Sequence, residues 1–285
     1  GLAARFLYEM VDENTDPLGA ENPLIYMTGP FTGTKVPASG RHEITSLSPL
    51  TGIFAEGDAG GYWGKTLKQA GYDGIILSGK SPEPVYIYID EDKVEIKSAE
   101  ELWGLDTYKT DKTLKEIYSN DIVTSCIGPA GENLVPLANI MHDGKDARAV
   151  GRAGLGAVMG SKNLKAVVVK GNKEIKINNS EKLMKKQKEI LPTIVKSTEG
   201  MKELGTSGGV EGAEALGDLP IKNWQEGFFE KAEEISGLKM KSTILKSNYY
   251  CYSCPIGCGR EVDFEKEDGT RIYGAGAEYE TTGTM

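Results

Sequence analysis

The chain has 285 residues, enough for one large domain or two smaller ones that bury a core without disulfides. Hydrophobic residues make up 39% and charged residues 26%, and no apolar run approaches the roughly 18 residues of a membrane helix, so a membrane-spanning or disordered chain is excluded. The net charge of -9 argues against a nucleic-acid-binding protein, which needs a broad basic face.

The first 175 residues or so predict short strands with helices inserted irregularly, which favours an α+β fold class. Strands are predicted at Leu24–Met27, His42–Ser48, Gly74–Ser78, Val85–Ile89, Val94–Lys97, Ile122–Ile127 and Ala166–Val169, with a hairpin turn at Asp90–Lys93. Helices are predicted near the first residue and at Trp63–Ala70, Lys112–Tyr118, Asn133–Met141 and Arg148–Met159.

The composition changes near residue 175, where we place a domain boundary between residues 1–175 and 176–285. The second part begins with a helix capped by Asn179 and Ser180, which Pro192 should kink or end, and continues as a loop-rich stretch from Gly200 to Gly227. We therefore expect a β-rich domain followed by the start of a mainly helical one. Both ends look cut, since the first helical pattern lacks an N-cap residue, so a longer protein is expected.

Three of the four cysteines lie within eight residues, in the pattern C-x2-C-x3-C formed by Cys251, Cys254 and Cys258. This spacing suits one metal centre better than disulfides and predicts a reducing, cytoplasmic location. Zinc sites usually need a second ligand pair, so an iron–sulfur cluster is favoured over zinc or an unligated loop. Cys126 lies in an apolar run and is expected to be a core thiol, which puts the fourth cluster ligand beyond Met285.

Glycine accounts for 36 residues, which concentrate in short clusters between predicted elements. Backbone amides in such loops can bind phosphate, although tight turns alone would also explain them. None of the clusters has the spacing of a dinucleotide-binding or Walker motif. The three clusters are Gly29–Gly40, Gly57–Gly64 and Gly151–Gly156.

The third cluster lies in a basic segment, residues 141–170, where six cations face two aspartates for a local charge of +4. A basic, glycine-rich segment in an acidic protein predicts contact with an anion, with a solvated helix face as the alternative. The cations are Lys145, Arg148, Arg152, Lys162, Lys165 and Lys170.

Several motifs together resemble the aldehyde ferredoxin oxidoreductases, in order and through almost the whole chain. They include Thr-Gly-Pro-x-Thr-Gly before Gly40-Arg41, Ser48-Pro-Leu-Thr-Gly52, Gly60-Gly61-Tyr62, Ala70-Gly71-Tyr72-Asp73, Ile127-Gly-Pro-Ala-Gly-Glu-Asn133, Gly156-Ala-Val-Met-Gly-Ser-Lys162, Leu219-Pro-Ile-Lys-Asn-Trp-Gln225 and the cysteine segment. The resemblance implies a pterin-binding first domain that lacks the family's first strands, followed by the start of a helical domain.

The resemblance also implies the cofactors: tungsten, or less often molybdenum, on two pterins whose phosphates are bridged by Mg2+, beside one [4Fe-4S] cluster. The residues it assigns to the pterin and Mg2+ are Arg41, Asp58, Gly60, Gly61, Arg152, Ala153 and Gly154, and those it assigns to the cluster are Cys251, Cys254 and Cys258. Asp58 stands where the family has asparagine, which adds a negative charge beside the phosphates.

The implied reaction is oxidation of a small aldehyde to a carboxylic acid, with Glu280 handling a proton and electrons leaving through the cluster to ferredoxin in an anaerobic organism. An ordinary surface acid is the alternative for Glu280. A benzoyl-CoA reductase-type tungsten subunit, or a non-catalytic iron–sulfur or zinc module, are the alternatives for the whole chain. A homodimer or a multi-subunit complex is expected, with no nucleic acid and no membrane among the partners.

Overall fold

A computed structural model describes residues 1–284, which form two compact units, Gly1–Ser180 and the residues from Glu181 onward. The first unit contains two sheets and five helices, and the second contains four α-helices and one small sheet within the described residues. The α+β class is therefore confirmed. The position of the domain boundary near residue 175 stays a prediction.

The first sheet has four antiparallel strands in the order β3-β2-β1-β4. The central strand β1 is predominantly apolar, and Leu24, Ile25 and Tyr26 are completely buried in it. The strands are β1 (Leu24–Thr28), β2 (His42–Leu47), β3 (Phe54–Ala59) and β4 (Gly74–Leu77).

The second sheet has six strands in the order β6-β5-β10-β7-β8-β9, of which only the β5–β10 pair is parallel. The sequence of β10 is a continuous apolar run at 166–169, as expected for a strand buried on both faces. The strands are β5 (Val85–Asp90), β6 (Lys93–Ser98), β7 (Val123–Cys126), β8 (Ile140–His142), β9 (Arg148–Val150) and β10 (Leu164–Lys170).

Two helices of the first unit contact strands of both sheets and build the main core between them. One begins with Trp63, which is fully buried and whose indole N–H donates to the Val167 carbonyl at 3.1 Å. The other, at 155–161, is buried along its whole length. The helices of this unit are α1 (Leu2–Met10), α2 (Trp63–Ala70), α3 (Thr107–Ile117), α4 (Pro129–Glu132) and α5 (Leu155–Ser161).

All seven predicted strands and the hairpin are confirmed, but three further strands of the first unit were missed and two predicted helices were wrong. The pattern at 133–141 forms no helix, since only the turn before it is helical and Ile140 starts β8. The pattern from Arg148 to Met159 divides into β9 and α5, because Gly151 and Gly154 interrupt it. The missed strands are β3, β8 and β9.

The second unit differs from its prediction in two respects. The stretch from Gly200 to Gly227 is not uniformly loop, and a three-stranded antiparallel sheet surrounds the cysteines. Within residues 1–284, no helix is both long and apolar enough to cross a membrane. The elements are α6 (Ser180–Ser197), which contains Pro192, α7 (Glu199–Leu204), α8 (Val210–Leu216), α9 (Gly237–Thr243), β11 (Leu245–Tyr249), β12 (Gly259–Glu265) and β13 (Arg271–Ala275).

Candidate cofactor-binding site

Two loops that the sequence assigns to the cofactor follow strands of the first unit that contact each other. The first glycine loop, residues 60–62, joins β3 to α2, and the second glycine loop, residues 151–154, joins β9 to α5. Strand β3 contacts β9, and a Cβ on Gly57 would overlap the Val150 side chain. Glycine at position 57 therefore allows the close approach of the two strands from which the loops extend.

The second glycine loop has a strained backbone. Ala153 and Gly154 have φ values of 67° and 75°, and a Cβ on Gly154 would overlap the Pro136 carbonyl oxygen. Left-handed backbone costs an L-residue about 1–2 kcal/mol, and such strain clusters at functional sites. The Ala153 carbonyl, a predicted Mg2+ ligand, accepts a hydrogen bond from Ser48 Oγ at 2.8 Å and keeps its second lone pair.

The buried Asp143 side chain holds the first glycine loop in place. Its Oδ2 accepts a hydrogen bond from the Tyr62 amide at 2.6 Å, and Gly61, with a φ of 86°, leaves no room for a Cβ against this oxygen. Asp143 is only 8% exposed, and its Oδ1 is buried without a hydrogen-bond partner in the described part of the chain. Burial raises the pKa of this carboxyl to about 7, although the Tyr62 amide opposes the shift.

Arg41 and Asp58 lie next to each other at the exposed edge of the first sheet. Arg41 Nη1 donates to the Asp58 carbonyl at 3.2 Å, and the Arg41 carbonyl accepts from Thr32 Oγ1 at 3.1 Å. The Asp58 carboxylate is exposed, as is Arg152 on the second glycine loop. The predicted anion-binding guanidinium groups and the predicted hard-oxygen ligand are therefore accessible to a ligand.

A buried histidine pair lies beneath the first glycine loop. The Nε2 atoms of His42 in β2 and His142 in β8 are 3.0 Å apart, and the Trp63 ring contacts both imidazoles. Burial lowers the pKa of both rings, that of His142 to about 3, so at neutral pH one neutral ring donates to the other. The sequence placed neither histidine in a site, since 100 residues separate them.

The basic segment is only partly available to an anion, which corrects the prediction for two of its six cations. Lys162 is 5% exposed and donates to two backbone carbonyls, and Lys165 is completely buried in an ion pair with Glu132. Burial lowers the pKa of Lys162 to about 8. These two lysines therefore have structural roles, whereas Arg152 in the same segment is exposed.

The three clustered cysteines lie on the loop between β11 and β12 in the second unit. All three are half-buried and free of disulfides, and the Cys254 amide donates to the Cys251 carbonyl at 3.1 Å. Positive φ values at Ser253 and Gly257, 54° and 64°, make the backbone turn twice. Among residues 1–284, no group of three His, Cys, Asp or Glu side chains is arranged closely enough to hold a metal ion.

The fourth cysteine, Cys126, is a core thiol as predicted. It is 2% exposed in a hydrophobic cluster of the first unit, and its thiol donates to the Thr107 carbonyl at 3.8 Å. Burial raises the pKa of the Cys126 thiol to about 12, so the thiolate that a metal needs is strongly disfavoured there.

Glu280 lies on the second unit, in a 3₁₀ helix at Tyr279–Thr284, and its side chain is exposed. The preceding Tyr279 makes two hydrogen bonds: its amide donates to Thr206 Oγ1 at 3.0 Å, and its hydroxyl donates to the Asp218 carbonyl at 3.1 Å. The helix that carries Glu280 is therefore attached to its unit, while the carboxylate points to solvent.

Two family models together match nearly the whole chain. The aldehyde ferredoxin oxidoreductase N-terminal domain matches residues 1–171, and domains 2 and 3 of the same enzyme match residues 182–285. The chain belongs to the aldehyde ferredoxin oxidoreductase family. The resemblance inferred from the motifs is confirmed.

Curated relatives carry the same family name. A tungsten-containing aldehyde ferredoxin oxidoreductase of Thermococcus kodakarensis is 46% identical over 264 residues, covering 91% of this chain and 43% of the relative. A protein of the same name from Pyrococcus abyssi is 43% identical over 286 residues, covering 99% of this chain and 46% of the relative. The chain thus spans less than half the length of these relatives.

A solved structure matches the fold. It is the active-site complex of benzoyl-coenzyme A reductase with 1,5-dienoyl-CoA, at a TM-score of 0.79 and 31% sequence identity. The match covers 95% of this chain and 43% of that chain. The fold is therefore shared by proteins of the family with different names.

The residues of the first unit fit the pterin cofactor of the aldehyde ferredoxin oxidoreductases. An exposed carboxylate at Asp58, the second lone pair of the Ala153 carbonyl and exposed guanidinium groups lie on or beside the two glycine loops. Hard oxygen donors suit Mg2+, and guanidinium forks suit phosphate. For the cluster, the donor chemistry fits, since one loop carries three cysteines that form no disulfide, but the thiols do not converge in this structure.

Proposed function

We propose that the chain is the cofactor-binding part of a tungsten- or molybdenum-pterin oxidoreductase that oxidises aldehydes to carboxylic acids. The observation that supports this proposal most directly is that the two glycine loops follow strands β3 and β9, which contact each other, with Arg41 bonded to Asp58 beside the first loop and the Ala153 carbonyl on the second. When bound, the bis-pterin metal supplies two-electron redox chemistry and the [4Fe-4S] cluster passes electrons singly to ferredoxin. In the net reaction, aldehyde and water give carboxylic acid, two electrons and two protons.

The chain's own residues would hold this cofactor and move a proton. Arg41 and Arg152 would bind its anionic groups, and the Asp58 carboxylate and the Ala153 carbonyl would be the oxygen ligands of Mg2+. Because Gly60, Gly61 and Gly154 have no side chain, the cofactor could approach their backbone amides closely. Cys251, Cys254 and Cys258 provide three thiolates for the cluster, and the Glu280 carboxylate accepts a proton as the acid forms.

A second candidate is a subunit of a benzoyl-CoA reductase-type enzyme, which the match to that active-site complex supports. It would use the same loops and the same cysteines. For this second candidate we expect a multi-subunit assembly. For the aldehyde-oxidising enzyme we expect a homodimer with ferredoxin as its partner. A cytoplasmic location suits both, since none of the four cysteines is in a disulfide.

Metal analysis of the full-length protein, purified without air, tests the proposal. We expect tungsten or molybdenum together with about four irons and Mg2+ per protein. Iron alone or zinc alone would reject the pterin enzyme and support a non-catalytic module. Reduction of ferredoxin with a panel of aldehydes, compared with turnover of benzoyl-CoA, then separates the two enzymes.

A further inference from the structure

Arg260 is a buried cation next to the cysteine loop that none of the predicted site residues includes. It lies in β12, two residues after Cys258, and is 3% exposed. Its guanidinium donates hydrogen bonds to four backbone carbonyls. The acceptors are Cys258 at 3.1 Å, Glu203 at 2.9 Å, Lys202 at 2.7 Å and Gly257 at 2.8 Å.

These four carbonyls belong to two segments that are distant in the sequence. Lys202 and Glu203 lie in the last turn of α7, where carbonyls lack partners within the helix, and the other two acceptors lie in the cysteine loop. Arginine is suited to this task because its planar fork carries five N–H donors. The side chain therefore ties the end of the cysteine loop to the end of a helix, and none of its four acceptors carries a compensating charge.

Neighbouring glycines show how tightly the loop is packed around this guanidinium. Gly205 has a φ of 67°, and a Cβ there would lie 3.2 Å from the Cys258 carbonyl and 3.3 Å from Arg260 Nε. A Cβ on Gly257 would overlap the Tyr250 ring, and one on Gly259 would approach the Tyr249 ring to 2.7 Å. The loop backbone is thus held between two aromatic rings and Arg260.

We propose that Arg260 is a positioning residue for the iron–sulfur cluster, an inference that rests on the proposed function of the three cysteines. Its hydrogen bonds to the carbonyls of residues 257 and 258 fix the backbone turn that carries Cys258. Its guanidinium also places a buried positive charge next to that residue. A cluster gains negative charge when it is reduced, and a nearby buried cation stabilises the reduced form. The charge therefore raises the reduction potential of the cluster.

Two variants of the full-length protein separate the two parts of this role. Arg260→Gln removes the charge, and Arg260→Lys keeps it but can bond at most three of the four carbonyls. We expect a more negative midpoint potential for Arg260→Gln in an electrochemical titration followed by electron paramagnetic resonance. We expect Arg260→Lys to keep a potential near that of the wild type while iron content falls, because the loop is held less firmly.

Arg271→Gln is the matched control, since Arg271 lies in the same sheet but is exposed and bonded to Asp263. It should keep wild-type iron content and potential. Wild-type potential and iron content in both Arg260 variants would overturn the inference. A wild-type protein without a cluster would instead reject the proposed function.

If Arg260→Gln does not fold, hydrogen exchange of iron-free Arg260→Lys and wild-type protein decides the matter. Faster exchange of the amides of residues 254 and 256–259 in the Lys variant supports the positioning role, because these amides belong to the segment that the guanidinium holds. Equal exchange in the two proteins contradicts it.

Discussion

The glycine loops of the first unit and the cysteine loop of the second are built in contrasting ways. The glycine loops extend from strands and helices that share one large buried core, and Asp143 and Ser48 fix them from within. The cysteine loop extends from a three-stranded sheet, with half-buried thiols and one arginine as its main polar anchor. The glycine loops are thus held by the core, whereas the cysteine loop is held mainly by the hydrogen bonds of one arginine.

Removing one loop thiol should give the largest effect. We expect Cys254→Ser in the full-length protein to abolish the visible absorbance of the cluster, because three thiolates of the loop are proposed ligands. Cys126→Ser is the control and should keep the absorbance, since that thiol is buried in the core. Unchanged absorbance in the Cys254 variant would show that the loop does not hold a cluster.

Adding a side chain to the second glycine loop should lower the stability of the protein. Gly154→Ala adds a Cβ against the Pro136 carbonyl and forces alanine into a left-handed backbone, so we expect unfolding free energy to fall by about 3 kcal/mol. Gly151→Ala is matched to it, because a Cβ there meets nothing within 4 Å. Urea unfolding measures both, and equal stability of the two variants would contradict the packing described.

Removing an exposed cation should affect the cofactor and not the fold. We expect Arg152→Ala to lower tungsten or molybdenum content, because a charge-assisted hydrogen bond contributes about 1.5–3 kcal/mol. Arg5→Ala provides the comparison, since Arg5 is exposed in an ion pair with Glu9 on α1. Full metal content in the Arg152 variant, measured by elemental analysis, would refute its assigned role.

Asp143 provides a smaller, pH-dependent effect. Its pKa rises from 3.8 to about 7 on burial, so its contribution to stability is complete below pH 3.8 and is lost as the pH rises towards 7. The stability of wild type relative to Asp143→Asn should therefore fall over this range, by at most about 1.4 kcal/mol per pH unit. Urea unfolding at several pH values measures the difference.

The histidine pair makes stability depend on pH in the opposite direction to Asp143. This contribution cancels when wild type is compared with Asp143→Asn. Burial lowers the pKa of His42 and His142, so their contribution is present above pH 6.5 and is lost as the pH falls. Both proteins share this contribution. Asp121→Asn, which changes an exposed carboxyl, should show the wild-type profile. A flat difference between wild type and Asp143→Asn would show that Asp143 titrates normally.

The sequence predicted most of the first unit because its buried strands are apolar runs bounded by glycine, proline and polar residues. It missed β3, whose segment Phe54–Ala59 contains glycine and two acids and lacks a clear alternation. It missed the sheet next to the cysteines because β11, Leu245–Tyr249, is mostly polar and has no fully buried residue. Short strands of this kind are stabilised by pairing with distant partners, which local patterns do not record.

The candidate site was predictable where motifs mark it and not where distant residues support it. The assigned roles of Arg41, Asp58, Arg152 and the cysteines stay predictions, although the side chains of all these residues are exposed or half-buried. Asp143 was missed because 81 residues separate it from the amide it holds. Arg260 was missed because its acceptors in α7 are nearly 60 residues away and are backbone atoms, which carry no signature in the side-chain sequence.

The deep burial of Cys126 makes this protein simple to follow by thiol labelling. An alkylating reagent attacks thiolates, and a core thiol with a pKa of about 12 presents almost none at neutral pH. Alkylation of the native chain therefore modifies Cys251, Cys254 and Cys258, with almost no reaction at Cys126. The number of alkyl groups per chain then measures how far assembly of the proposed cluster has proceeded.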